Sequence, residues 1–227
     1  MDVLYEDNHL IIVNKAVGDL VQGDATNDVT LLDDIKNYLK VKYNKPGNVF
    51  LGLVHRLDRP TSGAIIYAKT TKALSRLNES FKERETVKKY WAVVDNMPRC
   101  QEETLEHYLV RNTTSNKSVA MNSPRRGAKK SSLTYKVIGK SDKYTLLEID
   151  LHTGRHHQIR AQLAAINVRI KGDLKYGFPR SNKDGGIHLH AREISFMHPV
   201  KKERVTVVAP CPKNDPLWKY FDPLLQD

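Results

Sequence analysis

Cysteine is scarce: Cys100 and Cys211 are the two in 227 residues, spaced neither as a metal pair nor as a redox pair. A disulfide framework is not expected on that count, and a reducing, cytoplasmic setting is. Long apolar runs are missing too. The longest early one is residues 10–13, and the first seven residues carry acids where an export signal carries bases. Neither export nor a membrane span is expected. No glycine-rich loop of Walker or dinucleotide type occurs, Gly172 and Gly185-Gly186 being isolated turn glycines, so the expected cofactors are none. The nine histidines lack metal-site spacing, since His156 and His157 are adjacent and no His-x-x-x-His pair is backed by a Glu. A metal hydrolase, the rival that His152, His156, His157, His188, His190 and His198 bring to mind, is disfavoured accordingly.

Positive charge is abundant. Lys and Arg number 37 against 26 Asp and Glu, a net +11. Such a field attracts phosphate backbones and steers their encounter, which points to a polyanionic partner. The excess is uneven: residues 111–143 hold nine basic side chains and one acid, Asp142. Ser123-Pro124-Arg125-Arg126-Gly127 within them has turn chemistry, so a basic hairpin or lobe projecting from a sheet is expected, with a solvated loop as the alternative.

With 40% hydrophobic residues the chain can bury a sizeable core. Alternating β-branched and aromatic patterns predict strands at residues 10–13, 64–67, 90–94, 133–137, 144–151 and 204–208. Leu31, Leu32, Ile35 and Leu39 form one helical stripe, Leu74, Leu77 and Phe81 a second, and Ile159, Leu163 and Ile166 a third; Asp215-Pro216 opens a short fourth helix. Strands outnumber helices and short turns join several of them. The expected class is α+β, a mixed and largely antiparallel sheet with flanking helices.

The most informative stretch is Val54-His55-Arg56-Leu57-Asp58-Arg59-Pro60-Thr61-Ser62-Gly63. A carboxylate between two arginines, on a loop stiffened by Pro60 and closed by Gly63, is favoured as an anion able to serve as nucleophile or base; a structural salt bridge is the competing reading. This stretch resembles the motif of the RluA-type pseudouridine synthases. The likeness continues in order through Val3-Leu4-Tyr5-Glu6-Asp7, Asn14-Lys15 and Gly18, Lys88-Lys89-Tyr90-Trp91-Ala92-Val93-Val94, and Thr153-Gly154-Arg155-His156-His157-Gln158-Ile159-Arg160. Gly172-Asp173, Tyr176-Gly177, Leu189-His190-Ala191, Phe196 and His198-Pro199 complete it. Three positions depart from the family pattern: Ala16 for Pro, His156 for Thr or Ser, and Gln162 for His.

The resemblance implies a single catalytic domain over residues 1–227, a basic insertion at about 111–143, no separate N-terminal RNA-binding domain, and a cleft that receives a flipped uridine. It implies Asp58 as nucleophile, attacking the uracil ring or the sugar C1′, Tyr90 stacking on the base and assisting loss of the C5 proton, and Arg160 pairing with Asp58. Arg56 would fill the gap left by the flipped base, and His55, Arg59, Arg155 and His157 would line the RNA path; the charge run, not the resemblance, makes Arg125, Arg126, Lys129 and Lys130 expected phosphate contacts outside the motifs. A cytoplasmic, monomeric, metal-free enzyme acting on structured ribosomal or transfer RNA is expected. An inactive RNA-binding protein of the same fold is the second reading; the retained Asp58, Tyr90 and Arg160 weigh against it.

Overall fold

The computed structural model describes residues 1–23 and 28–223. Its elements run β1 (Asp2–Glu6), β2 (Leu10–Lys15), α1 (Leu31–Lys42), β3 (Gly52–Leu53), β4 (Ser62–Ala68), α2 (Thr71–Lys82), β5 (Val87–Val94), β6 (Glu102–Asn112), β7 (Lys117–Met121), β8 (Lys129–Lys140) and β9 (Thr145–Leu151). They end with α3 (Gln158–Ala165), a 3-10 turn (Leu174–Tyr176), β10 (Leu189–Met197), β11 (Arg204–Val208) and α4 (Pro216–Phe221). All eleven strands share one sheet, in the order β1-β2-β4-β10-β5-β9-β8-β6-β7, with β11 paired to β10 and β3 to β4. Among these pairings only β4–β10 is parallel, so the mixed, largely antiparallel sheet expected from the sequence is what the chain forms.

Strand alternation places two apolar sets on opposite faces. Ile11, Val13, Ile65, Tyr90, Ala92 and Ile149 pack under Ile35 and Leu39 of α1 and Ile159 and Leu163 of α3. Leu10, Ile12, Ile66, Ile194 and Phe196 pack under Ala73 and Leu77 of α2. The predicted helical stripes are those buried faces. Thr30 caps α1 in a reciprocal box with Asp33, Thr70 caps α2, and Asp215 accepts from the N–H groups of Leu217 and Trp218 at α4.

Strands β6 and β10 escaped the alternation reading because polar residues occupy their inward positions. His107 is buried between Leu105 and Leu109 on β6. On β10, His190 and Arg192 are buried with their donors spent on Ala209 O, and Arg192 also grips Asp222 at 2.6 and 2.8 Å. The basic segment 111–143 begins inside β6, contains β7 and β8, and joins the sheet through β8–β9 pairing. It starts within paired β6 and ends in the turn between β8 and β9, and the strands between are paired into the sheet, so the anticipated projecting lobe is the edge region of the sheet itself, with an exposed β7–β8 turn.

Candidate active site

Asp58 lies in the loop between β3 and β4, and that loop is fixed from three directions. Lys15 Nζ, at the buried end of β2, donates to the carbonyls of Ala16, Arg59 and Thr61 at 2.9, 3.1 and 2.7 Å. Gly18 N–H donates to Arg59 O, and Ile187 N–H to Pro60 O, both at 3.0 Å. Burial lowers the Lys15 pKa to about 8, so at neutral pH it still carries the charge that strengthens these three bonds. At the exit of the loop, Gly63 has φ +116° and backs onto Ala191, where a β-carbon would overlap the neighbouring backbone. Only glycine allows the parallel β4–β10 contact there. Ser62 hydrogen-bonds His190 Nδ1 at 2.8 Å, and His190 Nε2 donates to Ala209 O, which makes Nδ1 the acceptor. Burial pulls the His190 pKa down to about 4, keeping that ring neutral.

The partner of Asp58 comes from 102 residues away. Arg160 Nη1 is 3.1 Å from Asp58 Oδ2, while Nε and Nη2 of the same guanidinium hold Asp173 at 2.7 and 2.8 Å. Burial alone would lower the Arg160 pKa; the bonds to Asp173 and Asp58 overcome it and raise it. The two arginines beside Asp58 in sequence behave otherwise than their spacing suggests. Arg59 donates Nε to Gly18 O and sits 3.6 Å from Asp28, and Arg56 is exposed at the cleft. Pairing with a distant buried arginine, not flanking charge, is what holds the carboxylate.

Behind this pair stands a chain of contacts. His157, with φ +52°, precedes α3; its Nε2 is 3.6 Å from Asp58 Oδ2 and its Nδ1 is 3.0 Å from Tyr176 Oη. Burial lowers the His157 pKa to about 3, so it faces Asp58 as a neutral ring. Tyr176 Oη also accepts from Ser118 N–H of β7, and its ring lies 5.1 Å from the Arg160 guanidinium. Gln158 closes the preceding loop, accepting from Thr153 Oγ1 and Arg155 N–H and donating to Ser132 O of β8.

Tyr90 projects from β5 into a cleft of about 1100 Å³ that Asp58, Arg56, His55, Arg155 and His157 also line. Its hydroxyl makes no hydrogen bond among the described residues. Burial, aided by the Asp58 charge, raises its pKa, and the phenol stays protonated at neutral pH. His55 stacks on Phe81 and spends Nε2 on Ile66 N–H, leaving Nδ1 for any RNA contact. Arg125, Arg126, Lys129 and Lys130 are exposed and off the cleft wall, although Arg155 Nε reaches Lys130 O at 3.3 Å. Lys130 is already 3.1 Å from Glu106.

The three departures from the family pattern also have places. Ser118 Oγ donates to His156 O at 2.6 Å and lies 3.0 Å from His156 Nδ1, and the His156 ring stacks on His157 at 3.8 Å. Gln162 donates to Leu105 O and lies 3.0 Å from His107 Nδ1. Both fasten α3 to the β6–β7 hairpin. Ala16 N–H caps onto Asp19. Of the other histidines, His188 is engaged with Asn182 and Asp215, His198 with Asp7 and the edge of the His9 ring, and His152, on the cleft wall, lies 2.9 Å from Thr134 Oγ1. Among the described residues no three His, Cys, Asp or Glu side chains are grouped to hold a metal ion, and no helix is long and apolar enough to cross a membrane. Cys100 and Cys211 are both free.

Residues 9–165 match the family model described as RNA pseudouridylate synthase. The chain belongs to that family. Ribosomal large subunit pseudouridine synthase C of Buchnera aphidicola is 34% identical over 216 residues, 92% of this chain and 66% of that protein. An uncharacterised RNA pseudouridine synthase of Synechocystis is 32% identical, over 94% of this chain and 66% of that one. Ribosomal large subunit pseudouridine synthase D of Zymomonas mobilis is 31% identical, with 94% and 70% covered. The chain thus spans about two thirds of the length of these relatives. In fold it is similar to the solved human RNA pseudouridylate synthase domain containing 4, with a TM-score of 0.80 at 24% identity over 96% of this chain and 92% of that one.

Sequence reading named Asp58, Tyr90 and Arg160, and the structure places all three at one cleft or its wall. It assigned no role to Lys15, Asp173, Tyr176 or Ser118. Asp173 and Tyr176 carried a signal in their motif loop and Lys15 in the opening motif, although its three carbonyl partners could not be read there; Ser118, which acts through its N–H on Tyr176 and its hydroxyl on His156, lies outside every motif.

Proposed function

We propose that the chain is an RNA pseudouridine synthase in which Asp58 is the nucleophile. The observation that carries this is a half-buried carboxylate opening on the cleft beside Tyr90, oriented by a buried Arg160 that Asp173 holds from the far side. The target uridine leaves its stack and enters the cleft, because C1′, C5 and C6 cannot otherwise be reached together. Asp58 attacks either the uracil ring or C1′; the N1–C1′ bond breaks and a C5–C1′ bond forms. The proton lost from C5 is balanced by one gained at N1, so the reaction is an isomerisation. Tyr90 stacks on the base. Since its phenol is protonated, any proton it accepts from C5 is matched by one leaving its own hydroxyl.

Structured RNA is the substrate class, and the names of the relatives favour ribosomal RNA of the large subunit over transfer RNA. The cleft supports a polyanion: Arg56, Lys82, Arg84, Lys88, Arg155 and Arg160 line it against Asp58 and Asp150. We place the enzyme in the cytoplasm as a monomer whose described residues form one catalytic domain. Mapping pseudouridines in total RNA from cells with and without the gene tests the reading. A site that disappears with the gene and returns with wild-type protein, but not with Asp58→Asn, is expected; identical maps would overturn it.

A further inference from the structure

Lys88 and Lys89 are neighbours on β5 with opposite surroundings. Lys89 lies on the Trp91 face, its Nζ 3.1 Å from Glu148, whose other oxygen receives the Trp91 indole N–H at 3.4 Å. Lys88 shares the other face with Tyr90 and lines the cleft. There, among the described residues, it makes no hydrogen bond and no ion pair. Its ammonium rests 5.5 Å over the Phe81 ring and 3.9 Å from where a β-carbon on Gly154 would stand. The groups around it do not neutralise it: of the acids lining the cleft, Asp58 is held by Arg160 and neither it nor Asp150 is within ion-pair distance of Lys88, His55 is a ring whose burial favours the neutral form, and Arg56 and Arg155 add charge of the same sign. Desolvation lowers the Lys88 pKa, the mark of a cation held partly out of water without an acid. Such an ammonium costs free energy in the free protein, and an anionic ligand entering the cleft would offset the cost.

We infer that Lys88 seats a backbone phosphate of the nucleotide presented to Asp58, fixing its sugar while the base lies against Tyr90. The inference rests on the RNA-modifying reading above. A uracil is neutral, so the anion that a uridine brings is its phosphate, and a compact ammonium suits a phosphate as a point charge. Residues two apart on a strand are separated by about 7 Å, comparable with the reach from a nucleobase to its own phosphate.

The test uses a fluorescein-labelled oligouridylate of about twenty nucleotides and the variants Lys88→Met and Lys88→Arg. Lys88→Met keeps the stem and removes the charge. Its log–log salt slope should be shallower by about 0.7, its affinity at low salt about tenfold weaker, and its melting temperature unchanged or higher. Lys88→Arg should restore slope and affinity to within a few-fold. With unmodified large-subunit ribosomal RNA labelled with tritium at uridine C5, the Lys88→Met defect should fall mainly on KM, with a smaller fall in kcat. An unchanged slope and affinity would overturn the assignment, as would a lowered melting temperature that accounts for the lost binding. A wild-type protein that binds oligouridylate through Lys88 yet releases no tritium would defeat the isomerase reading and leave the phosphate seat standing.

Discussion

At the β2–β4–β10 side of the sheet, cations are buried and fully engaged. Lys15 donates to three carbonyls, Lys69 holds Glu6 at 2.9 Å, and Arg192 holds Asp222. At the β6–β8 side, Arg125, Arg126 and Lys129 stand in water at a turn, and Lys130 has an exposed partner. In the first set Lys15 fixes the Asp58 loop and the other two tie strands to their neighbours; the second supplies field. Removing a buried partner leaves a charge stranded, whereas exposed charges are screened and replaceable. Arg160 belongs to the buried kind although α3 is tied to the basic side through Ser118 and Gln162, so the cleft lined by Asp58 and Tyr90 lies at the seam between the two regimes.

The largest effect is expected at Asp58, because no neighbouring group can replace a nucleophile. Asp58→Asn should fold and bind RNA yet lose about a thousandfold or more of tritium release from RNA labelled at uridine C5. Turnover within tenfold of wild type would remove Asp58 from the chemistry.

Next comes the bidentate Asp173–Arg160 pair, in which Asp173 is essentially inaccessible to solvent. Asp173→Asn should destabilise the fold by about 3–5 kcal/mol in urea unfolding. Breaking the exposed Lys130–Glu106 pair by Lys130→Ala should cost no more than about 1 kcal/mol. Similar losses from both would erase the distinction between the two sides of the sheet.

Acid sharpens the same contrast. His190 and His157 have folded pKa values lowered to about 4 and about 3, both by burial, against 6.5 unfolded. Below pH 6.5 the unfolded chain therefore binds protons that the folded chain refuses, and stability declines as pH falls toward 4. Each histidine should contribute roughly 1–2 kcal/mol of that loss between pH 7 and pH 5. Urea midpoints at the two pH values measure it, and equal midpoints would mean that these rings accept protons within the folded protein.

The smallest effect on chemistry is expected at the basic turn. Replacing Arg125, Arg126, Lys129 and Lys130 together by Ala should flatten the salt dependence of RNA binding by roughly 2–3 units, Lys130 contributing least because Glu106 already answers it. The saturating single-turnover rate should fall by no more than a few-fold. A collapse of that rate would show that the turn positions the uridine.

Local pattern sufficed where a residue's environment follows from its neighbours. The apolar stripes of α1, α2 and α3 fixed their buried faces, and Asp215-Pro216 fixed the start of α4. Alternation marked β2, β4, β5, β8, β9 and β11, and the ordered motifs named Asp58, Tyr90 and Arg160. It did not mark β1, β3, β6, β7 or β10; in β6 and β10 buried polar side chains break the pattern and find partners far along the chain.

What the tertiary structure alone decided is which charge meets which. Arg56 and Arg59 flank Asp58 in sequence, yet the chain turns at Asp58, where Thr61 N–H donates to Asp58 O; Arg59 is drawn to Gly18 O, Arg56 is exposed at the cleft, and the carboxylate is met by Arg160 instead. Lys88 and Lys89 are chemically identical neighbours, and strand alternation gives one an acid and the other an open cleft. Sequence determined the kinds of group present and the order in which the chain supplies them. Their distances and burial, which set the strength of every electrostatic interaction at the site, exist only once strands from both ends of the chain lie side by side.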